Sequence, residues 1–334
     1  MSVPPSTAAM SVASPLVAIV GATATGKSQL AIDLARALDG EILNADALQL
    51  YRGMDIGTAK QPPEDRGGIP HLLLDLLEVT EEASVSAYQD LARNAIAEVR
   101  ARGRVPILVG GSGLYLRAVL DRIAFPPTDA AVRSRYERQI VEQGSGSLHA
   151  ELARRDPEAA AHIGSRDARR IVRALEVGEL TGRPFRSFLP VPEYVDPATV
   201  QIGVHRDRDE LHTRVAVRVG RMVEQGLLAE VRMLREAGLD RGATARRAIG
   251  YEQALAVLDG TMTCAEAVDA TVVGTRRLVR KQDTWFRRDQ RVHWIDASDE
   301  SVPLLDRALA VIDAASGSGT ASPGSTGPGP AGPG

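Results

Sequence analysis

Cysteine is almost absent from this 334-residue chain, and its scarcity excludes several kinds of site. The single cysteine, Cys264, can form neither an internal disulfide nor a cysteine-based zinc cluster. Aromatic residues make up only 4% of the chain, so any stacking on nucleic-acid bases depends on few side chains. Lysine is scarce too, because the only lysines are Lys27, Lys60 and Lys281 and the other 37 basic residues are arginines. A GC-rich genome produces such a ratio, so an arginine cluster alone does not indicate a phosphate site.

Long hydrophobic runs are missing as well. No stretch of about 18 consecutive apolar residues occurs, so the sequence predicts no membrane span. Residues 1–14 contain no basic residue and no long apolar core, which is unlike a secretory signal. Together with the single cysteine, these features predict a cytoplasmic protein that contacts no membrane. The net charge of −3 gives no independent support for nucleic-acid binding.

A predicted phosphate-binding loop stands near the N-terminus, and the chain is organised around it. An apolar strand, Leu16–Val20, runs into a G-x-x-x-x-G-K-[ST] segment, and an amphipathic helix follows to Leu38. The glycines allow a tight turn whose backbone N–H groups face an anion, and the helix dipole adds to that field. Lys27 is expected at the terminal phosphate and the Ser28 hydroxyl at Mg²⁺. The loop residues are Gly21, Ala22, Thr23, Ala24, Thr25, Gly26, Lys27 and Ser28.

The rest of the chain predicts an α/β fold, a phosphate-loop NTPase-like parallel sheet with an all-helical insertion domain. Further strands are predicted at Glu41–Asp46, His71–Val79, Val105–Val109, Thr199–Val204 and Val292–Ile295. Helices are predicted at Ser86–Arg102, throughout 129–182, and at 209–237, 251–259, 264–286 and 302–314. The insertion therefore interrupts the sheet after its fourth strand. The predicted divisions are a disordered leader (1–14), a discontinuous catalytic core (15–124 and 198–315), a helical insertion (125–197) and a disordered Gly/Pro/Ser tail (316–334).

Side chains at the ends of strands extend the predicted site. Parallel strands open onto the ligand crevice at their carboxyl ends, so Asp46 should face the same crevice as Lys27. Ser112 lies in a second glycine-rich turn, where it can cap the following helix or bind a ligand. Asp75 is the only candidate for a Walker-B carboxylate. From the residues alone, a small-molecule kinase, another phosphate-handling transferase and a nucleotide-binding switch all stay open.

Further motifs resemble those of the tRNA dimethylallyltransferases, which are also called tRNA isopentenyltransferases. They follow the order of that family over about residues 15–296, and they are Asn44–Lys60, Pro70-His71, Gly110–Tyr115, Arg170–Val177 with Thr181-Gly182, Ile249-Gly250-Tyr251 and Arg280–Arg287. Three positions depart from the family pattern. Ala22 replaces the usual proline, Ala47 replaces a common serine and Ser112 replaces a common threonine.

The resemblance implies transfer of a dimethylallyl group from its diphosphate to N6 of the adenosine just 3′ of the anticodon, position 37, in tRNAs reading codons that begin with U. The phosphate loop would then hold a diphosphate leaving group, with Mg²⁺ and Lys27 neutralising its charge. Asp46 is the expected acceptor of the amine proton. Ser112 and Arg218 complete the implied catalytic set, with Arg218 matching the family arginine on the diphosphate. The protein is expected to act as a monomer.

The same resemblance implies a set of tRNA-binding residues. The target base must be flipped out of the anticodon loop, and the channel that receives it would be lined by Asp46, Ala47, Leu48, Gln49 and Ser112. The insertion would hold the anticodon stem-loop through backbone contacts from Arg133, Arg169, Arg170, Ile171, Val172 and Arg173. An ordinary solvated helix face is the competing interpretation of these arginines. A second basic segment, Arg276–Arg288, surrounds Trp285 and Phe286.

Overall fold

Apolar strands alternate with amphipathic helices along the chain, and the strands assemble into one parallel sheet. The structure, a computed structural model, describes residues 14–188 and 191–317. The order of strands in the sheet is β3-β2-β4-β1-β5-β6, and every pairing is parallel. The strands are β1 (Leu16–Val20), β2 (Gly40–Asn44), β3 (His71–Leu72), β4 (Val105–Gly110), β5 (Thr199–His205) and β6 (His293–Asp296). The phosphate loop therefore leaves the sheet from a central strand, β1.

Helices cover the sheet and also form a separate unit. Their bounds are α1 (Lys27–Ala37), α2 (Val85–Ala101), α3 (Gly113–Leu120), α4 (Ala130–Gln143), α5 (Ser145–Arg155), α6 (Pro157–His162), α7 (Ala168–Thr181), α8 (Arg208–Glu224), α9 (Leu227–Glu236), α10 (Tyr251–Leu258), α11 (Cys264–Phe286) and α12 (Leu304–Gly317). Local signals set several ends, because the Ser84 side chain caps α2 and a Thr263–Glu266 capping box starts α11. Within the described ranges, no helix is both long and apolar enough to cross a membrane.

The chain divides into two compact units. The first comprises Met1–Leu116 and Asp196–Gly334, and the second comprises Arg117–Val195. In the first, apolar residues of β1, β5 and α1 form a core with residues of α12. The second has its own core of residues from α4, α5, α6 and α7. It begins earlier in the chain than the predicted insertion, 125–197.

The third strand is much shorter than predicted. The apolar run His71–Val79 indicated one buried strand, but only His71 and Leu72 pair with β2. Leu73 and Asp75 have φ values of 63° and 55°, a left-handed conformation that a strand cannot contain. Beyond these residues, Leu77 forms an isolated parallel bridge with Tyr51. The prediction of a strand through Val79 was wrong because apolar content does not encode these backbone angles.

Other boundaries differ by smaller amounts. The helix predicted over 209–237 is two helices, α8 and α9, because Gly226 between them adopts a φ of 98°. The second strand ends at Asn44, so Asp46 lies beyond the strand in the turn that follows. Helix α12 extends to Gly317 and includes the first two residues of the predicted tail. The remainder of that tail, and the leader up to residue 13, lie outside the described residues.

Candidate active site

The phosphate loop is shaped by close approach to its neighbours and by its own hydrogen bonds. Gly21 has a φ of 139°, and a Cβ there would lie 2.4 Å from the Val204 carbonyl oxygen of β5. Gly26 has a φ of 106° and starts α1. The Thr25 hydroxyl donates to the Ala22 carbonyl at 2.9 Å, and the Lys27 ammonium donates to the same oxygen. Glycine is therefore required at both ends of the loop.

Two arginines hold the outer carbonyl groups of the loop. Arg206 Nε donates to Thr25 O at 3.1 Å, and Arg214 Nε donates to Ala24 O at 2.9 Å. Both arginines come from the segment that leaves β5 and enters α8. Because the carbonyl groups are bound from outside, the loop is fixed in a conformation that leaves backbone N–H groups for an anion.

A cavity of about 660 Å³ opens beside the loop and is lined by two of the three predicted catalytic residues, Asp46 and Arg218. Lys27, Asp46 and Arg218 all line it. Its other polar lining residues include Ser28, Asn44, Gln49, Thr58, Arg214, Arg221 and Gln282. Apolar lining is supplied by Ile42, Ile56, Val109, Val217 and Met222, among others. The cavity thus offers a cationic region and an apolar wall, which suits a ligand with a charged head and a hydrocarbon tail.

Burial opposes the charges of two cationic side chains in the cavity, Lys27 and Arg218. Burial and the nearby Arg218 charge lower the pKa of Lys27 to about 8, against the opposing effects of Asp46 and Asp283. Burial also lowers the pKa of Arg218, and Asp46 acts in the opposite direction. Lys27 and Arg218 therefore leave positive charge that Asp46 does not fully balance, and a diphosphate would neutralise it.

Asp46 and Ser112 belong to one hydrogen-bonded turn. Asp46 Oδ1 accepts from the Leu48 N–H at 3.0 Å, and Asn44 Oδ1 accepts from the Asp46 N–H at 2.9 Å. The Ser112 hydroxyl accepts from the Ala47 N–H at 3.1 Å. Ser112 thus reaches the turn after β2 instead of lining the described cavity, and its catalytic role stays a prediction. The contact uses the Ala47 backbone, so it does not need the side chain that serine would supply.

The segment after this turn is fixed by a buried lysine. Lys60, whose side chain is 3% exposed, pairs with Asp55 and Asp75 at 2.6 Å each. It also donates to the Tyr51 carbonyl at 2.9 Å. Asp75 therefore balances a buried charge and is not a Walker-B carboxylate at a strand end. No sequence pattern indicates this role of Asp75, because it depends on the turn that ends β3.

The same segment also contacts Glu230 and Tyr251. Glu230 is buried and accepts from the Ile56 N–H at 2.7 Å and from the Tyr251 hydroxyl at 2.6 Å. A Cβ at Gly57 would lie 2.4 Å from the Tyr251 ring, so glycine is needed there. Burial and the Glu230 charge raise the pKa of Tyr251, which keeps its hydroxyl a donor. Two motifs seen in the sequence, Asn44–Lys60 and Ile249–Tyr251, thus support each other.

The predicted tRNA-binding helix, α7, divides into two groups of residues. Ile171 and Val172 are 0% and 4% exposed and pack in the core of the second unit, so their side chains present no surface to RNA. Arg169 and Arg170 are exposed, with Arg170 3.5 Å from Asp167.

Arg133 and Arg173 are used inside the same unit. Both pair with the fully buried Glu176, at 3.0 and 2.8 Å, and Arg173 also donates to Pro126 O and Pro127 O. Burial opposes the charge of Glu176, but hydrogen bonds from Arg173, the Asp129 N–H and Arg133 lower its pKa. These two arginines therefore stabilise the helical unit, and the predicted contact of Arg133, Arg169, Arg170 and Arg173 with RNA stays a prediction.

The cavity provides a suitable hydroxyl for a magnesium ion but no carboxylate cage. Ser28 is exposed at the start of α1 and lines the cavity. In the described part of the chain, no three or more His, Cys, Asp or Glu side chains are grouped so that they could hold a metal ion. Mg²⁺ commonly keeps waters and takes phosphate oxygens with few protein ligands, so the Ser28 hydroxyl fits this mode of binding.

Comparisons with known proteins show the family to which this chain is similar. The IPP transferase family model matches residues 49–289. A tRNA dimethylallyltransferase of Kocuria rhizophila is 60% identical over 285 residues, covering 85% of this chain and 90% of the relative. One of Streptomyces coelicolor is 56% identical over 299 residues, covering 89% and 96%.

Solved structures show the same relationship. The tRNA isopentenylpyrophosphate transferase of Bacillus halodurans superposes with a TM-score of 0.65 at 39% identity, covering 91% of this chain and 96% of the other. A eukaryotic dimethylallyltransferase acting on tRNA gives a TM-score of 0.75 at 26% identity, covering 89% and 78%.

Proposed function

The chain belongs to the IPP transferase family, and on that premise we propose that it is a transferase that prenylates tRNA. The reaction moves a dimethylallyl group from dimethylallyl diphosphate to N6 of adenosine 37, next to the anticodon, in tRNAs reading codons that begin with U. One observation carries this proposal, namely that Asp46, Lys27 and Arg218 line the same cavity as the phosphate loop. A carboxylate and two cations are the groups that this reaction requires. We expect the protein to act as a cytoplasmic monomer.

The chemistry is a substitution at the first carbon of the dimethylallyl group. The N6 nitrogen forms a bond to that carbon, and the carbon–oxygen bond to the diphosphate breaks. The diphosphate leaves with the electron pair, and its growing charge is stabilised by Lys27, Arg218 and loop N–H groups. Asp46 accepts the proton that N6 loses. A magnesium ion held by Ser28 would neutralise part of the diphosphate charge.

The acceptor must enter the site as an extruded base. An adenosine stacked in an anticodon loop does not expose N6 to a cavity, so the nucleotide is flipped out of the loop. The turn Asp46–Gln49 supplies backbone and side-chain groups beside the acceptor, and Gln49 itself lines the cavity. Arg169 and Arg170 are the exposed arginines of α7 that suit contacts to the phosphate backbone.

The direct test is modification of tRNA by the full chain. Unmodified tRNA is incubated with dimethylallyl diphosphate and Mg²⁺, and its nucleosides are analysed by mass spectrometry. We expect N6-dimethylallyladenosine with the wild type and none with tRNA carrying guanosine at position 37. A parallel reaction with ATP and no prenyl donor tests the kinase alternative. Phosphoryl transfer without a prenylated nucleoside would contradict the proposal.

A further inference from the structure

One side chain connects the two glycine-rich loops beside the cavity. Gln282, on α11, is buried with 9% of its surface exposed. Its Oε1 accepts from the Thr23 N–H of the phosphate loop at 2.9 Å. Its Nε2 donates to the Gly111 carbonyl after β4 at 3.0 Å. A single amide therefore satisfies a donor on one loop and an acceptor on the other.

The helix packs against the second loop too closely for any residue but glycine. A Cβ at Gly111 would lie 2.4 Å from Gln282 Nε2, and one at Gly113 would lie 2.0 Å from the indole nitrogen of Trp285. Gln282 and Trp285 are three residues apart and therefore share a face of α11. The backbone from Gly111 to Gly113 is thus held by α11 at two points.

The connection continues to the proposed general base. Ser112, between these glycines, accepts from the Ala47 N–H, and Ala47 adjoins Asp46. Hydrogen bonds of ordinary length, joined by the peptide link from Gly111 to Ser112, therefore connect the phosphate loop through Gln282 to the Asp46 turn. In the proposed reaction, the first loop holds the donor and the Asp46 turn faces the acceptor.

We infer that Gln282 is a positioning residue that fixes the spacing between the diphosphate-binding loop and the turn that carries Asp46. The inference rests on the proposed function, because the spacing matters only when both substrates react between these loops. Group transfer requires reacting atoms about 3–3.5 Å apart, and a displacement of about 1 Å can cost about 10²-fold in rate. Gln282 touches neither reacting atom, so its effect is on geometry.

Only an amide, or a neutral carboxylic acid, has the required pair of groups at this position. Leucine in place of Gln282 removes both hydrogen bonds while keeping an apolar volume. A glutamate keeps the acceptor for Thr23, but when ionised it places an oxygen against the Gly111 carbonyl. When protonated, it donates a hydrogen bond there as the amide does. A Gln282→Glu enzyme should therefore recover as the pH falls, because burial favours the neutral acid.

The experiment compares Gln282→Leu, Gln282→Glu and Gln201→Leu in the full chain. Gln201 is a buried glutamine of β5 outside both loops, and its replacement controls for the loss of a buried amide. Single-turnover prenyl transfer is measured with both substrates saturating, along with the separate dissociation constants and the melting temperature. We expect Gln282→Leu to react about 10- to 10²-fold more slowly, with both dissociation constants within about threefold of wild type. Gln201→Leu should react at the wild-type rate.

The pH profile separates positioning from a loss of stability. The ratio of Gln282→Glu to wild-type rates should rise at least about fivefold as the pH falls from 8.5 to 6, because burial favours the neutral acid and the ratio removes any pH dependence that both proteins share. A wild-type rate in Gln282→Leu, or a ratio that does not change with pH, would overturn the inference. A rate loss of the same size in Gln201→Leu, at the same melting temperature as Gln282→Leu, would also overturn the inference. A wild type that transfers no prenyl group would instead contradict the proposed function, which keeps the two failures distinct.

Discussion

Lys27 shows at the scale of one residue how the fold prepares a site for an anion. Burial and the Arg218 charge disfavour its protonated form, and its pKa falls to about 8. Asp46 and Asp283 limit this fall without cancelling it. A bound diphosphate would favour the charged ammonium, so donor binding and protonation of Lys27 are linked. Lys27 loses its proton as the pH rises through about 8. Its attraction for the diphosphate is lost with that proton, so donor affinity falls as the pH rises.

We therefore predict that donor affinity falls in alkaline solution. The dissociation constant of dimethylallyl diphosphate should be nearly constant below pH 7 and rise up to about tenfold per pH unit above 8. In Lys27→Arg the rise should be much smaller, because a guanidinium stays charged throughout this range. Calorimetric titrations from pH 6.5 to 9.5 measure the dissociation constant of the donor for both proteins. Because the ligand is the same, protonation of its diphosphate affects both curves equally. Parallel curves would show that Lys27 is not the titrating group.

Asp46 is the proposed acceptor of the proton, and asparagine is a nearly isosteric replacement for it. Asparagine keeps an oxygen for the Leu48 N–H, so the turn should persist in Asp46→Asn. We predict single-turnover transfer at least about 10²-fold slower, the usual scale for a lost general base, with nearly normal tRNA binding. Fluorescence titration with tRNA and a rapid-quench assay give the two quantities. Near-normal transfer would remove Asp46 from the role, and joint loss of stability and tRNA binding would make it a structural residue.

Helices and strands were predictable where hydrophobic periodicity determined their ends. They were not predictable where contacts with residues distant in the chain determined the conformation. The strands β1 and β4 and the helices α2, α10 and α11 lie close to their predicted ranges. The strand predicted through Val79 failed because Leu73 and Asp75 adopt positive φ values, which no hydrophobic pattern reveals. Gln282 lay within a motif that the sequence displayed, but its role depends on Thr23 and Gly111, 259 and 171 residues away. Such a contact is visible only after the chain has folded.

Helix α7 illustrates how one element can carry both a structural arginine and exposed arginines. The sequence grouped its arginines together, whereas the structure pairs Arg173 with buried Glu176 and leaves Arg169 and Arg170 exposed. Removing Arg173 leaves Glu176 with fewer partners, which destabilises a buried carboxylate. Removing Arg169 or Arg170 costs no such partner. The two groups should therefore respond differently to substitution.

We predict that Arg169→Ala and Arg170→Ala each lower the slope of log affinity for tRNA against log salt by about 0.7 to 0.9. Each lost phosphate contact releases fewer counterions, and the loss should be similar for different anticodon-loop sequences. Arg173→Ala should instead lower the melting temperature. Arg232→Ala, at an exposed arginine of α9, is the control and should change neither quantity. Filter binding across a salt series measures the slopes. Equal slopes in all variants would show that the RNA surface lies elsewhere, and Arg276–Arg288 would be the next segment to test.

At the scale of the whole molecule, the sequence predicted the layers and a helical insertion at 125–197, whereas the second compact unit of the structure is Arg117–Val195. An N-terminal phosphate-loop unit and C-terminal strands that complete one sheet followed from the order of strand and helix patterns. The boundary at Arg117 did not, because it depends on contacts made by the chain on both sides of the insertion. The division places the phosphate loop in the first unit and α7 in the second. Each unit thus carries a different set of the predicted residues, the phosphate loop and Asp46 in the first and Arg169 and Arg170 in the second.

This division predicts independent energetic contributions to the two substrates. Lys27→Ala and Ser28→Ala should each weaken donor binding about tenfold or more, with the dissociation constant of tRNA within about twofold of wild type, since a lost charged contact costs about 1.5–3 kcal/mol. Arg170→Ala should weaken tRNA binding alone. In the double variant Lys27→Ala/Arg170→Ala, the changes in free energy from kcat/KM should add within about 0.5 kcal/mol, because the residues share no partner. Steady-state kinetics with varied tRNA and donor give kcat/KM for the wild type, the two single variants and the double variant. Loss of tRNA binding in a folded Lys27→Ala protein, or coupling well beyond that limit, would show that one set of residues serves both substrates.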